Sequence, residues 1–282
     1  MKNEKLIGID LGATNIRGAV VTNGDIGEII SRRINSTGTE EQVLEDIFFI
    51  ADQLITADVK TIGIGVPSVV DVKEGIVYDV QHIPSWKEVH LKQILETRYR
   101  LPVFVNNDAN CFALGEYYFG KGKNMADMVG LAIGTGLGAG IMINSKLYAG
   151  PNCGAGEFGM VDYLDRNYEF YCSGSFFQNV YGLNGESVFK NAHKGDREAL
   201  KLYAELGTHL GNAIKLIMYT YDPELIILGG SVASAFEYFE QTMRQRIKTF
   251  GYPKSIERLK IQTSELANSA ILGAAALFYD AL

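Results

Sequence analysis

Residues 6–25 read LIGIDLGATNIRGAVVTNGD, and this stretch decides the fold. Leu6–Leu11 is a short apolar run with a carboxylate, Asp10, near its end. A polar loop containing Gly12 follows, and Ile16–Thr22 resumes the apolar pattern. Asn23-Gly24-Asp25 is a turn sequence that favours a tight hairpin, because Asn and Gly tolerate positive φ. Ile26–Ile34 is expected to return as a third strand. Functional groups therefore stand in the loop of a hairpin at the start of a sheet.

Outward from this hairpin, Thr39 is the expected N-cap of a helix whose apolar face is Val43, Ile47, Ile50 and Leu54. Thr61–Val66 reads as a buried strand stopped by Pro67, and Val103–Val105 as another. A helix is expected from near Asn107 to about Phe119, and Gly120-Lys121-Gly122-Lys123 reads as a linker. The pattern then restarts. Met128–Ile133 and Gly138–Ile143 are expected as paired strands, with a second turn at Asn144-Ser145. Leu200–Tyr221 is a long helix, Pro223–Leu228 a strand ended by Gly229-Gly230, and a helix runs on to about Lys248. A strand at Leu259–Thr263 and a helix at Asn268–Tyr279 close the chain. A strand, hairpin, helix, strand order thus appears twice. That predicts an α/β protein of two similar lobes with a cleft between them.

The 282 residues, 47% apolar and 21% charged, are enough for more than one ordered domain. The net charge of −7 gives no general attraction to nucleic acid or to an anionic membrane. No apolar run reaches the roughly 18–20 residues that span a bilayer, and the polar start Met1–Lys5 does not resemble a signal peptide. The cysteines, Cys111, Cys153 and Cys172, are odd in number and form no CxxC pair. A disulfide framework is not expected; buried thiols in a reducing cytoplasm are.

Three glycine loops stand at corresponding points of the two halves. In the first, Gly12 admits close backbone approach, Thr14 brings a hydroxyl, Asn15 an amide, and Asp10 a carboxylate suited to Mg²⁺ through water. The second, Gly134-Thr135-Gly136-Leu137-Gly138, lies between two strands and suits an anion nest. It is neither a Walker loop, lacking Lys-Ser or Lys-Thr, nor a dinucleotide fingerprint, since a strand follows. The third, Gly229-Gly230-Ser231, places amides at an expected helix N-terminus. Each loop alone reads equally as an ordinary turn. Together they point to ATP.

Asp108, in Asn106-Asn107-Asp108-Ala109-Asn110, lies between a buried strand and a helix. A carboxylate there is commonly a plain cap, but a helix start also keeps a carboxylate ionised, as a proton-accepting base must be. Phosphoryl transfer needs such a base, donors around the phosphates and Mg²⁺. Glu157 lies in a glycine-rich loop, 154–159, and Glu169 in 168–174; carboxylates of this kind accept sugar hydroxyls, or simply face solvent. Trp86 and the tyrosines read as core or as lining of a sugar cleft, with core favoured.

The chain resembles the ROK family of repressors and kinases, within the actin-like ATPase superfamily, over essentially its whole length. DLGATNIRG at 10–18 and IGTGLGAGI at 133–141 are similar to its phosphate motifs, and GIGVPSVVD at 63–71 to its sugar loop. VNNDANCFALGE at 105–116 resembles its catalytic segment; GEFGM at 156–160 and ILGGSV at 227–232 fill the remaining places. The resemblance implies two ribonuclease-H-like lobes. The N-terminal lobe would be 1–118 joined by a terminal helix, 267–282, and the C-terminal lobe 119–266. It implies Asp108 as general base, with Ser68, Asn107, Glu157 and Glu169 on the sugar. Gly12, Thr14, Asn15, Arg17, Gly134, Thr135, Gly136, Gly229 and Gly230 would surround ATP, with Asp10 on Mg²⁺ through water. A homodimer or homotetramer is implied.

Departures from the family pattern bear on substrate more than on reaction. Met160 stands at the family's zinc-binding and sugar-contacting His, and the cysteine cluster is absent between Val161 and Glu169, so no zinc is expected. Ser68 replaces a common glycine, and His82 stands near a usual asparagine. The expected function is phosphorylation of a hexose, glucose by default, with fructose, allose, mannose and N-acetylhexosamines as alternatives. A non-catalytic sugar sensor is a second class. A repressor is a third, disfavoured because the first strand begins by Leu6 and leaves no room for a helix-turn-helix.

Overall fold

The computed structural model describes residues 3–12, 14–80 and 82–282; Ala13 of the first glycine loop lies outside them. The chain divides into two compact units. The first comprises Met1–Asn124, Gly140–Gly156 and Glu265–Leu282, and the second Met125–Ala139 and Glu157–Ser264. Residues 140–156, expected in the C-terminal lobe, thus group with the first unit.

In the first unit β1 (Lys5–Leu11) and β2 (Asn15–Thr22) form an antiparallel hairpin registered from Lys5↔Thr22 to Leu11↔Ile16. Asn23 and Gly24 take φ of +54° and +93°, the double positive that a tight two-residue turn requires. The single returning strand expected over 26–34 is instead two, β3 (Asp25–Ile26) and β4 (Ile30–Arg33), both paired with β2. The register explains the break. Val21 faces Ile26 and Gly18 faces Ile30, so one extra residue is inserted between them, as in a bulge.

Helix α1 (Glu40–Leu54) starts in a capping box: Thr39 Oγ1 accepts from the Gln42 N–H and Gln42 Oε1 from the Thr39 N–H, at 3.4 and 3.0 Å. Then come β5 (Val59–Val66), a small antiparallel sheet of β6 (Val69–Asp71), β7 (Ile76–Tyr78) and β8 (Glu88–Val89), and α2 (Leu91–Tyr99). The unit's main helix-bearing turn joins β9 (Val103–Asn107) to α3 (Asp108–Phe119). The main sheet has the order β3-β2-β1-β5-β9, with β4 also on β2. Its strands β1, β5 and β9 are parallel, and Asp10, Gly65 and Asn106 stand side by side near their carboxyl ends.

The second unit opens with β10 (Met128–Ile133) and β11 (Leu137–Ile143), within which the chain returns to the first unit and forms β12 (Lys146–Leu147). It continues with the hairpin β13 (Asp162–Tyr163) and β14 (Arg166–Asn167), then α4 (Tyr168–Cys172), α5 (Phe176–Tyr181), α6 (Gly185–His193) and α7 (Arg197–Tyr221). After β15 (Leu225–Gly229) come a 3₁₀ turn at Ser231–Ala235, α8 (Phe236–Ile247), α9 (Pro253–Arg258) and β16 (Lys260–Thr263). The sheet order is β12-β11-β10-β15-β16, with β10, β15 and β16 parallel.

The last helix, α10 (Ser269–Asp280), belongs to the first unit. Alternation along the strands prepares its seat. Ile7, Ile9 and Leu11 join the core on the α1 side, whereas Leu6 packs with Ile271, Leu272 and Ala275 of α10. A Cβ on Gly63 would lie 1.8 Å from the Ala274 carbonyl oxygen, so glycine lets the helix backbone rest directly on β5. Among the described residues no helix is long and apolar enough to cross a membrane.

Candidate functional site

The predicted residues of the first unit gather at the carboxyl ends of its parallel strands, where α/β sheets commonly bind ligands. Asp10 is answered across the hairpin by Arg17, whose Nη2 lies 2.7 Å from Asp10 Oδ2. The Gly12 N–H donates to the Asn15 carbonyl at 3.0 Å and closes the loop on itself. Thr14 and Asn15 are exposed; the Thr14 carbonyl accepts from the Ile34 N–H at 2.9 Å.

At the end of β9 the sequence allows either Asn107 or Asp108 to cap α3. The structure gives the cap to Asn107, whose Oδ1 accepts from the Ala109 N–H at 2.8 Å. Asp108 is the first helical residue, half-buried, and its Oδ1 shares the same N–H at 2.8 Å. Asn107 Nδ2 donates to the Ser68 carbonyl at 3.2 Å, and the Ser68 hydroxyl donates to the Tyr78 carbonyl. Beneath them Asn106 is buried. Its Oδ1 accepts from the Asn107 N–H, Asn110 Nδ2 and Cys153 Sγ at 2.8, 2.9 and 3.2 Å. These bonds fix the strand-to-helix turn that presents Asp108. Nearby, burial first, and then the negative charges of Asp108 and Asp10, push the Cys111 thiol well up, so it stays protonated.

In the second unit, three loops meet beyond β10 and β15, where Ala132 is registered with Gly229. The Gly134 N–H donates to the Gly136 carbonyl at 3.0 Å, the Gly134 carbonyl accepts from the Gly174 N–H at 2.7 Å, and the Thr135 carbonyl accepts from the Ser175 hydroxyl at 2.8 Å. The Leu137 N–H donates to Glu169 Oε2 at 3.0 Å. Glycine keeps the approach close at two points. A Cβ on Gly136 would lie 2.5 Å from Glu169 Oε2, and Gly230, at φ +82°, would bring one to 2.4 Å from the Ile133 carbonyl oxygen.

The sequence predicts Glu169 in a loop; it stands on the short helix α4, capped by Asn167 Oδ1 on the Phe170 N–H at 2.9 Å. Glu157 precedes a 3₁₀ turn, Phe158–Met160. It remains accessible to solvent, yet burial of its carboxyl, followed by the charge of Glu169, raises its pKa above the usual carboxylate value. Nor does a helix follow Gly230 directly, since the 3₁₀ turn intervenes.

The candidates thus form two groups. Asp10, Gly12, Thr14, Asn15, Arg17, Ser68, Asn107 and Asp108 belong to the first unit, and Gly134, Thr135, Gly136, Glu157, Glu169, Gly229 and Gly230 to the second. The N–H groups of Gly134 and Leu137, expected to face an anion, donate within the protein, as does that of Gly12. Sequence reasoning missed Asn106, Gly174 and Ser175. The Ser-Gly step four residues after Glu169 was the available signal for the latter two.

The donor set suits the groups implied. A Cβ on Gly134 would meet nothing within 4 Å, so the loop keeps an open face beside exposed Thr135 and Gly230 for phosphates. Asp10 offers a hard oxygen for Mg²⁺. Among the described residues no three His, Cys, Asp or Glu side chains gather as a metal cluster, but Mg²⁺ held largely by phosphates needs none. Met160 offers an exposed thioether, 3.9 Å from Asn167 Nδ2, and the three thiols are buried and outside any disulfide, a set that does not suit zinc.

A model of the ROK family matches residues 6–281. Glucokinase of Thermotoga maritima is 28% identical over 319 residues, covering 99% of each chain. The xylose repressor of Caldicellulosiruptor bescii is 26% identical over 308 residues, covering 95% of this chain and 76% of the repressor. Among solved structures, a ROK family glucokinase from Streptomyces griseus, in complex with glucose and AMPPNP, matches with a TM-score of 0.80 at 28% identity, covering 97% of this chain and 98% of that one.

Proposed function

The chain belongs to the ROK family, and on that premise we propose that it transfers the γ-phosphoryl group of ATP to a hydroxyl of a hexose, with Asp108 accepting the hydroxyl proton. Its α/β fold is the two-lobed actin-like ATPase fold of ROK sugar kinases. The observation that carries the reading is the strand-to-helix turn at 106–110. A separate residue, Asn107, caps the helix, so Asp108 is not needed as the cap.

ATP with Mg²⁺ supplies the transferable group and the neutralisation of its charge. The chain's own residues do the rest. Asp108 takes the proton as the sugar oxygen bonds to phosphorus and the bond to the ADP oxygen breaks. Asn107, Ser68, Glu157 and Glu169 bind the sugar hydroxyls and orient one of them. Gly12, Thr14, Asn15, Arg17, Gly134, Thr135, Gly136, Gly229 and Gly230 line the nucleotide site, and Asp10 would hold Mg²⁺, which would offset the charge of the phosphates. Positioning of this kind is the main contribution a protein makes to phosphoryl transfer.

The test is a coupled ADP-release assay over glucose, fructose, allose, mannose, β-glucosides and N-acetylhexosamines, with glucose the first candidate. Sugar-dependent ADP release is expected. The similarity to a xylose repressor favours one second reading, sugar binding without phosphoryl transfer. Calorimetric binding of a sugar that never elicits ADP release would establish that reading instead. Elemental analysis of the pure protein should find no stoichiometric zinc; about one zinc per chain overturns that expectation.

A further inference from the structure

Behind Glu169, side chains from β13, α4, α7 and α8 form one connected network within the second unit. Tyr163 stacks on Tyr168, the residue before Glu169, with centroids 4.2 Å apart and planes 12° from parallel. The Tyr163 hydroxyl lies 3.1 Å from His209 Nδ1 and accepts from Asn212 Nδ2 at 2.7 Å. Asn212 Oδ1 accepts in turn from Arg246 Nε at 2.6 Å. The His209 side chain is only 12% exposed, and Glu205 lies 3.6 Å from its Nε2. The rings of Tyr171 and Phe176 stand 5.0 and 5.8 Å from the imidazole.

A two-residue-per-strand hairpin and a five-residue helix do not hold themselves in place. The 25-residue α7 gives them an anchor. We assign the tautomer in which the Tyr163 hydroxyl accepts from Asn212 and donates to a bare His209 Nδ1, with the imidazole proton on Nε2 toward Glu205. Burial lowers the His209 pKa and favours this neutral form, against the opposing charge and hydrogen bond of Glu205.

We propose that Tyr163, His209 and Asn212 are positioning residues for Glu169. They lock α4 so that Glu169 Oε2 stays on the Leu137 N–H and its second oxygen serves a sugar hydroxyl. The sugar part rests on the kinase reading; the locking of Leu137 does not.

Acid opens the lock. A proton on His209 Nδ1 sets one donor against another at Tyr163, and the hydroxyl loses its acceptor. The other groups around the ring do not replace it. Glu205 favours the imidazolium and also accepts from the Tyr181 hydroxyl; Arg246 opposes it from behind Asn212; and the Tyr171 hydroxyl donates to Asp165. Burial keeps Tyr163 and Cys172 protonated.

The experiment uses the full chain as wild type, Y163F and H209Q. It measures hexose KM and kcat from pH 5.5 to 8, and hydrogen exchange at the Leu137 amide. Y163F should raise hexose KM about fivefold, the worth of one hydrogen bond, hold kcat within about twofold, and speed Leu137 exchange. Wild-type hexose KM should rise on the acid side of the ordinary histidine pKa, and H209Q, which cannot take up charge, should flatten that rise. Unchanged Leu137 exchange in Y163F overturns the positioning role whatever the activity, and an acid rise that persists in H209Q overturns the part given to His209. If the wild type phosphorylates no hexose while Leu137 exchange still responds, the kinase reading fails and the lock stands. Should Y163F not fold, N212A gives the same exchange readout.

Discussion

The two hairpin glycine loops hold equivalent places, each joining the first two strands of its unit's sheet, yet they are secured differently. The first is closed from within: Arg17 pairs with Asp10 seven residues away, and Gly12 bonds Asn15. The second is held from outside, by Glu169 and Ser175, which lie 32 and 40 residues along the chain from the groups they bind. The first loop can therefore be altered without disturbing the sugar-binding candidates of its unit. In the second, the carboxylate assigned to sugar is the same one that fixes the phosphate loop. Substitution of Asp108 should act on the chemical step, whereas substitution of Glu169 should act on sugar binding and remove one of several ties on the loop.

The sharpest test of the first half is Asp108→Asn. The variant is isosteric, and the cap of α3 belongs to Asn107, so the helix start should persist. Loss of the base should lower kcat by about 10²- to 10⁴-fold with sugar binding retained in calorimetry. Near-normal turnover would sink the assignment of Asp108 as base. Next in size is Glu169→Ala in the second half. Losing charged hydrogen bonds of about 1.5–3 kcal/mol should raise hexose KM by about 10- to 100-fold. The ATP KM should change little, because Gly174 and Ser175 still grip the loop. A matching rise in ATP KM would show instead that Glu169 is the loop's main anchor.

This contrast also marks what could be read in the sequence. The hairpin at 6–22, the N-cap at Thr39 and the 106–119 strand-to-helix turn were legible, because each is a local pattern of period, cap or turn chemistry. The segment 69–99 was not. Its strands β6, β7 and β8 are two or three residues long, too short for alternation to count, and α2 buries only Leu91 and Leu95. Helices α4 and α5 escape for the same reason. Within the site, sequence motifs located Asp108 and Glu169 but not their states. Asn and Asp are equally good caps, so only side-chain direction separates Asn107 from Asp108. The bond between Glu169 and Leu137, and the network through Tyr163 and His209, depend on tertiary contacts that no local spacing encodes.

A smaller perturbation isolates the link between sugar carboxylate and loop. In Gly136→Ala the new methyl would lie 2.5 Å from Glu169 Oε2. The obstructing atom is the end of a flexible side chain, so the carboxylate can swing aside and the fold should survive. Losing the one hydrogen bond to Leu137 should raise hexose KM by about fivefold, with a nearly unchanged unfolding midpoint. Unaltered hexose KM would separate the sugar role proposed for Glu169 from its bond to Leu137.

The smallest expected effect concerns Glu157, whose pKa is raised by burial and then by Glu169. A raised carboxyl pKa means that the folded chain holds this proton more tightly than the unfolded one. The contribution of Glu157 to stability is therefore most favourable below the ordinary value of 4.5 and is lost as pH rises through the folded pKa. Glu157→Gln stays neutral throughout. At neutral pH it should melt higher than the wild type by about a degree or two, and the difference should vanish in acid. Because the side chain is solvent-accessible, screening keeps the effect small. The same variant should bind hexose more weakly, since a neutral amide accepts less strongly than a carboxylate. A gain in Tm paired with a loss of affinity is what a carboxylate held for function at a cost in stability produces. A Tm difference equal at pH 4 and pH 7.5 would instead trace the change to packing, and would remove the charge of Glu169 from its cause.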